Sequence, residues 1–226
     1  MISIPEVLPA LGDDVLVVSG LPRSGTSLLM QMLQAGGVEV LTDGQREADE
    51  DNPRGYLEFE PVKSLLVRGA DTGWINRARG RAVKVVVPLV AALPAGCRYR
   101  VILVERDYAE ILESQARMLA RRGARVEDSP DRRNHLASEF AKIMDRTLHL
   151  LRARADVRLL VLRHQDILDH PAGAAHLVNA FAGSALDTGM AARAVDPELH
   201  RSILRPVVDS RNAPLLALER NSDAVA

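Results

Sequence analysis

The stretch DVLVVSGLPRSGTS, residues 14–27, decides the fold of this chain of 226 residues. Residues 14–19 are apolar and β-branched, which is typical of a buried parallel strand. Two glycines follow at the spacing G-x-x-x-x-G, Gly20 and Gly25. Apolar residues then recur at helical spacing at Leu28, Leu29, Met32 and Leu33. The pattern predicts a strand, a glycine turn and a helix that ends near residues 36–37.

A strand that enters a helix through a glycine turn presents free backbone N–H groups and the positive end of the helix dipole at one point. Residues 20–27 are therefore predicted to bind a phosphate. A Walker A loop, G-x-x-x-x-G-K-S/T, carries a lysine for the outer phosphates of a nucleoside triphosphate. Thr26 stands at that position here, and the loop's cation is Arg23. We expect a phosphorylated donor other than ATP. The alternative is a tight strand-to-helix turn with a solvated Arg23.

Composition is that of a soluble globular protein, with 47% hydrophobic and 26% charged residues. The formal net charge of −1 gives no basic field for nucleic acid or an anionic membrane. One cysteine, Cys97, excludes an internal disulfide and fits a reducing compartment. We see no leader and no apolar run long enough to span a membrane, so a cytoplasmic protein is expected. The six histidines lack metal-ligand spacing, so no metal is expected. Oligomeric state cannot be read from the chain.

The order of predicted elements indicates one α/β domain over residues 1–226, with a core at about 14–205 and a loosely held tail at 209–226. An irregular polar stretch at 42–55 is predicted to be a functional flap or a mobile segment. A D-x-x-E capping box opens a helix at Asp107, with Glu110 as its second member. Strands that alternate with helices predict a three-layer sandwich with a central parallel sheet and a P-loop-like phosphate-binding loop. Strands are predicted at 14–19, 82–87, 100–105 and 157–162, and later helices at 61–68, 107–122, 132–154 and 171–183, with a short one from Asp196.

A second anion site is predicted where the third strand ends. Arg106 follows that strand, and Ser114 lies eight residues later on the helix that starts there. The carboxyl edge of an open α/β sheet is where such folds bind ligands. A guanidinium forms two parallel hydrogen bonds to a phosphate, so this pair could hold a second phosphate, distinct from that in the loop.

These motifs resemble those of sulfotransferases that use 3′-phosphoadenosine 5′-phosphosulfate (PAPS). The loop RSGTS at 23–27 is similar to their 5′-phosphosulfate loop, in the arginine form of bacterial and protein-tyrosine members. Arg106 and Ser114 match the pair that binds the donor's 3′-phosphate in that family. Softer matches lie at 51–58 (an N-P-x-G-Y-x-E segment), 163–168 and 196–199.

The resemblance implies in-line transfer of a sulfuryl group from PAPS to an acceptor hydroxyl or amine, without a metal. It implies that Arg23 stabilises charge on the transferred group and the bridging oxygen. It also implies that the other loop residues donate to the 5′-phosphate: Ser24, Gly25, Thr26 and Ser27. The acceptor would be a small molecule or a glycan, met by the segments at 41–80 and 121–134, and its identity cannot be told from the sequence.

Lys84 is the next candidate catalytic residue, although a lysine at a strand end that reaches solvent is the structural alternative. It aligns with a K-x-H-x-P segment of cytosolic sulfotransferases, but Val86 stands where their catalytic histidine would be. The base must come from elsewhere. Glu58 is the best candidate by resemblance to members that use a glutamate after the loop; its competitors for this role are Glu47, Glu50 and Glu60.

Two other functions stay open. A small-molecule kinase that uses ATP–Mg²⁺ would need the lysine that Thr26 replaces. A catalytically inactive protein that binds an adenosine bisphosphate as a sensor would fit the missing histidine. Arg121, Arg122 and Arg125 are either a solvated helix end or a rim that contacts the acceptor.

Overall fold

The computed structural model describes residues 8–50, 52–124, 129–183, 186–196 and 218–219. Its centre is a parallel sheet of four strands in the order β2-β1-β3-β4, flanked by helices on both faces. A fifth strand of two residues, β5, pairs antiparallel with β4. The strands are β1 (Val15–Gly20), β2 (Ala82–Lys84), β3 (Tyr99–Glu105), β4 (Val157–Arg163) and β5 (Leu218–Glu219). The α/β class with a central parallel sheet, predicted from the alternation of elements, is confirmed.

Helices cover both faces of this sheet. The α-helices are α1 (Thr26–Ala35), α2 (Ile75–Ala78), α3 (Tyr108–Arg121), α4 (Pro130–Arg152), α5 (His164–Asp169), α6 (Pro171–Ala182) and α7 (Thr188–Arg193). Two 3₁₀ helices span Glu60–Leu66 and Leu89–Ala92. None of the helices in the described part of the chain is long and apolar enough to cross a membrane.

The strand β1 is buried on both sides because its side chains alternate between two cores. Leu16 and Val18 pack in a core with α1 and α6, whereas Val15 and Val17 pack in a second core with α4. This explains the unbroken apolar run in the sequence. The carboxyl ends of β1, β2, β3 and β4 meet at one edge, and the glycine loop follows β1 there.

A buried ion pair holds the opposite edge of the sheet. Arg100 on β3 is 2% exposed and donates from Nε to Asp14 Oδ2 at 2.9 Å. Its Nη1 also donates to the carbonyls of Phe181 and Ala182 at the end of α6, at 3.2 and 3.0 Å. Burial raises the pKa of Asp14, but hydrogen bonds from Arg98 and Arg100 outweigh it, so the net shift is downward. This arginine therefore ties the start of β1 to α6.

Several predicted elements differ in extent from the observed ones. The helix predicted at 61–68 is the 3₁₀ helix Glu60–Leu66. The strand predicted at 82–87 is regular only to Lys84, although Val87 N–H still donates to Gly20 O at 3.0 Å. The helix predicted at 132–154 begins two residues earlier because Ser129 caps it. The short helices α2, α5 and α7 were not predicted because segments of four to six residues carry no clear period.

One half of the predicted capping box, Asp107, is confirmed, and the other half, Glu110, is wrong. Asp107 does cap α3, since its Oδ1 accepts from the N–H groups of Ala109 and Glu110 at 2.8 and 3.2 Å. The carboxylate of Glu110 does not serve the cap. It accepts instead from Arg106 Nε at 2.8 Å, because both side chains are largely buried and opposite in charge. The helix predicted from Asp196 lies outside the described residues beyond Asp196 itself, and so does the tail at 209–226 apart from the two residues of β5.

We expect Asp14→Asn to lower the free energy of unfolding by about 3 kcal/mol, because it leaves the guanidinium of Arg100 buried without a carboxylate. The exposed neighbour Asp13 provides the control, and Asp13→Asn should change stability little. Denaturant unfolding at neutral pH measures both variants.

The pH dependence has a definite sign. Because folding lowers the pKa of Asp14 from 3.8, its stabilising effect is complete above that value and is lost as the pH falls below it. The stability difference between the wild type and Asp14→Asn should therefore shrink in acid. An equal difference across this range would contradict the assigned ion pair.

Candidate functional site

The amino terminus of α1 is open to an anion. Gly25 is its N-cap, no side chain caps the helix, and its first turn contains no acidic residue. The first N–H groups of a helix have no acceptor within the helix. The helix dipole adds partial positive charge at the same place. The predicted anion loop thus ends in a helix terminus whose charge no side chain of this turn neutralises.

Only glycine fits at Gly25. Its φ of 103° is left-handed, and a Cβ added there would lie 2.3 Å from Cδ2 of His164. His164 is 5% exposed and opens α5 directly after β4. The imidazole therefore packs against the backbone of the loop. No role was predicted for His164 from the sequence; its position directly after a buried strand, at the edge where the loop lies, is the signal that could have found it.

Arg23 adopts a φ of 75°, which is unfavourable for a residue with a side chain. Two neighbours hold it in place. Its Nε donates to Ser114 Oγ at 3.0 Å, and its carbonyl accepts from Arg106 Nη1 at 3.0 Å. The structure therefore brings together the three residues that the sequence analysis assigned to two separate anion sites.

Ser24 differs from the other loop residues. Its N–H donates to Leu21 O at 3.0 Å, and the residue is 1% exposed. A Cβ on Gly20 would lie 2.3 Å from its Oγ, so the hydroxyl lies behind the loop. That hydroxyl has no hydrogen-bond partner among the described residues. Ser24 does not line the cleft in front of the loop, whereas its four predicted companions do: Arg23, Gly25, Thr26 and Ser27.

Lys84 brings a second cation to the loop from the end of β2. It is 3% exposed, and its Nζ donates to Ser27 Oγ at 3.1 Å and to the carbonyl of Tyr56. Glu58 Oε1 lies 3.6 Å from the same nitrogen. Burial lowers the pKa of Lys84 from 10.5 to about 8, and the nearby Glu58 carboxylate limits the fall. The strand-end lysine thus does not extend into solvent.

We call residues 42–50 and 52–58 the flap. Asn52 attaches it to α1, since Gln31 Nε2 donates to Asn52 Oδ1 at 3.1 Å and to Gly55 O at 3.0 Å. Arg46 stacks on the ring of Tyr56, with its Cζ 3.4 Å from the ring centroid. The polar stretch that predicted either a flap or a mobile segment is thus fixed to the rest of the described fold by named contacts.

One carboxylate of the four considered as a base lines the cleft. Glu58 accepts from Arg46 Nη1 at 2.7 Å and lies near Lys84. Glu60 pairs instead with Lys63 at 2.6 Å on the exposed side of its 3₁₀ helix. Neither Glu47 nor Glu50 is among the lining residues of the cleft. Position therefore favours Glu58 over its competitors.

Arg106 and Ser114 lie where they were predicted, but they already have protein partners. Arg106 donates from Nε to Glu110 Oε2 at 2.8 Å, with side-chain exposures of 10% and 7% for the two residues. Ser114 Oγ accepts from Arg23. A second phosphate at this position would have to share Arg106 with a buried carboxylate.

These groups surround a cleft of about 700 Å³ at the carboxyl edge of the sheet. The volume is in the range of ligand-binding sites. Its floor has N–H groups of α1, the guanidiniums of Arg23 and Arg106, and the ammonium of Lys84. No group of three or more potential metal-ligating residues occurs among the described residues. The arrangement can hold a phosphorylated ligand against the loop and place a carboxylate, Glu58, beside it.

Comparisons with known proteins find similarity in structure. No protein-family model matches the chain, and no curated protein matches it. A sulfotransferase domain from the curacin biosynthetic pathway matches at 17% identity over 85% of this chain and 89% of that one, with a TM-score of 0.38. At so low a TM-score, function has to be argued from the site itself.

The ammonium of Lys84 should titrate near pH 8, because burial disfavours its charged form. The chain has three lysines, so lysine-selective heteronuclear NMR gives few signals, and Lys84→Met assigns the relevant one. A Lys84 signal that shows the amine still charged at pH 10 would contradict the burial described above.

The free energy of unfolding, measured at several pH values, also tests the lowered pKa of Lys84. Because folding lowers this pKa, the charged lysine opposes folding most below about 8, and its opposition fades as the pH rises toward 10.5. The unfolding free energy of the wild type should therefore rise relative to that of Lys84→Met across this range.

Proposed function

We propose that this protein is a sulfotransferase that moves a sulfuryl group from PAPS to a hydroxyl or amine of its acceptor. The observation that carries the proposal is the uncapped amino terminus of α1, with Arg23 in the loop before it and Lys84 bonded to Ser27 in its first turn. Thr26 in place of a Walker lysine supports a donor other than ATP. The resemblance of the loop and of the Arg106–Ser114 pair to those of PAPS-dependent enzymes supplies the donor's identity.

The residues present fit such a donor. The N–H groups at Gly25, Thr26 and Ser27 would bind the 5′-phosphate, and Arg106 with Ser114 would bind the 3′-phosphate. Glu110 would keep one side of the Arg106 guanidinium occupied. Arg23 contacts both residues of the 3′-phosphate pair, since its Nε donates to Ser114 and its carbonyl accepts from Arg106. Arg23 can therefore interact with both phosphates of the donor.

When bound, PAPS supplies the sulfuryl group and leaves as adenosine 3′,5′-bisphosphate. The acceptor oxygen or nitrogen forms a bond to sulfur while the bond from sulfur to the 5′-phosphate oxygen breaks. Arg23 and Lys84 neutralise charge that builds on that departing oxygen. Glu58 takes the acceptor's proton, because it is the one carboxylate of the four candidates that lines the cleft beside Lys84.

Calorimetric titration with adenosine 3′,5′-bisphosphate tests the donor site. We expect the wild type and Glu110→Gln to bind it, because the glutamine keeps the shape of the buried partner. Arg106→Ala in the Glu110→Gln background should weaken binding about 10- to 100-fold, the cost of losing hydrogen bonds to a charged group. Making the change in this background avoids leaving the Glu110 carboxylate buried without a cation.

The same titration with ATP–Mg²⁺ separates the alternatives. Binding of ATP with no binding of the bisphosphate would overturn the proposal in favour of a kinase. Tight bisphosphate binding without turnover of PAPS across an acceptor panel would favour a sensor.

Turnover kinetics test whether Glu58 is the catalytic base. With an acceptor found by such a panel, Glu58→Gln should lower kcat by at least about 100-fold and leave the donor's KM nearly unchanged, because the carboxylate acts on the acceptor's proton. Glu60→Gln is the matched control, two residues away and on the exposed side. If the Glu58→Gln enzyme kept the wild-type kcat, a group other than Glu58 would take the acceptor's proton.

A further inference from the structure

The walls of the cleft carry more positive charge than a donor needs. Among the described residues, nine arginines and lysines line it, against two carboxylates, Glu58 and Asp196. Three of these cations, Arg23, Lys84 and Arg106, are assigned to the donor in the proposed function. The remaining six belong to the flap, the first 3₁₀ helix, α3 and the C-cap of α3, Arg122.

Two of these outer cations pair with the carboxylates that line the cleft, Arg46 with Glu58 at 2.7 Å and Arg54 with Asp196 at 2.9 Å, but others have their carboxylates outside the lining. Lys63 pairs with Glu60 at 2.6 Å, and Arg122 lies 3.7 Å from Asp49, yet neither carboxylate is among the lining residues. The cations that line the cleft thus outnumber the carboxylates that line it. Such an arrangement leaves the field inside the cleft positive and attracts anions.

Part of the wall of the cleft is apolar. Val62, Val86, Leu89 and Met118 line it, and Leu119, at 36% exposure, lies on α3 near the mouth. An apolar lining favours a ligand with an apolar body. Charge at the mouth and apolar surface within describe a site for an amphiphile.

Tyr56 connects the mouth of the cleft to the reacting centre. Its carbonyl accepts from Lys84 Nζ, and its hydroxyl donates to Asp49 Oδ1 at 2.7 Å. The same Asp49 lies beside Arg122 at the end of α3. Arg122, at the end of α3, is therefore connected to the ammonium at the reacting centre through one tyrosine and one ion pair.

We propose that the acceptor is an amphiphilic anion, whose apolar body lies along the wall of Val62, Val86, Leu89 and Met118 and whose own carboxylate or phosphate binds at Arg121 and Arg122. This inference rests on the proposed function. The acceptor's hydroxyl or amine lies at Lys84 and Glu58, about a tyrosine's length and one ion pair from the anionic group.

Binding to the complex with adenosine 3′,5′-bisphosphate tests this inference by calorimetry at low salt. The probes are hydroxyphenylpropanoate and ω-hydroxyoctanoate, each with its methyl ester, together with ω-hydroxyoctyl phosphate and lactate. The two long acids should bind at least tenfold more tightly than their esters, and lactate should not bind because it is too short to reach both ends. A phosphate probe that binds more tightly than both carboxylates identifies a phosphorylated acceptor; the reverse order identifies a carboxylate.

The double variant Arg121→Gln/Arg122→Gln should abolish the preference for acid over ester. Lys142→Gln is its control, because Lys142 is exposed on α4 and lies outside the cleft. Equal affinity for acid and ester, a preference that survives in the double variant, or no binding of any probe would overturn the inference.

These outcomes separate the two proposals. If adenosine 3′,5′-bisphosphate itself does not bind, the proposed function fails and the inference fails with it. If the bisphosphate binds and the long acids show no advantage over their esters, only the inference about the acceptor fails.

Discussion

The ammonium of Lys84 joins the three parts of the site. It comes from the edge strand of the sheet, donates to Ser27 on α1 and to the carbonyl of Tyr56 in the flap, and lies beside Glu58. Because it is buried, its charge is costly, and its pKa falls to about 8. The same bonds that fix the flap to the sheet thus hold a cation whose charge an anionic ligand would stabilise.

Arg106 has two partners at the carboxyl edge of the sheet. Arg106 supports the strained backbone at Arg23 through its Nη1 while Nε binds Glu110. The fork of a guanidinium allows both bonds at once, which a lysine could not do with fixed geometry. The loop is therefore shaped in advance, and that lowers the cost of ordering it around a ligand.

Much of the fold was predictable because its signals are local. The β-branched runs of β1, β3 and β4 and the caps at Asp107 and Gly183 each depend on neighbouring residues. The short helices α2, α5 and α7 were not predicted, and the strand predicted at 82–87 is longer than the observed β2. Glu110 shows the limit most clearly: its spacing predicts a capping box, but an arginine one turn away binds it instead. Local pattern cannot rank two partners whose choice depends on burial.

The sequence by itself determined the strand–loop–helix unit, the missing Walker lysine and the parallel α/β class, because glycine spacing and apolar periodicity act over a few residues. Only the tertiary structure decided which of four carboxylates faces the cleft, that Ser24 lies behind the loop, and that His164 packs on Gly25. Those contacts join residues from separate elements. Their distances follow from the register of the sheet, which pairs Val18 with Lys84 and Gly20 with Val104, and from the packing of helices across its edge.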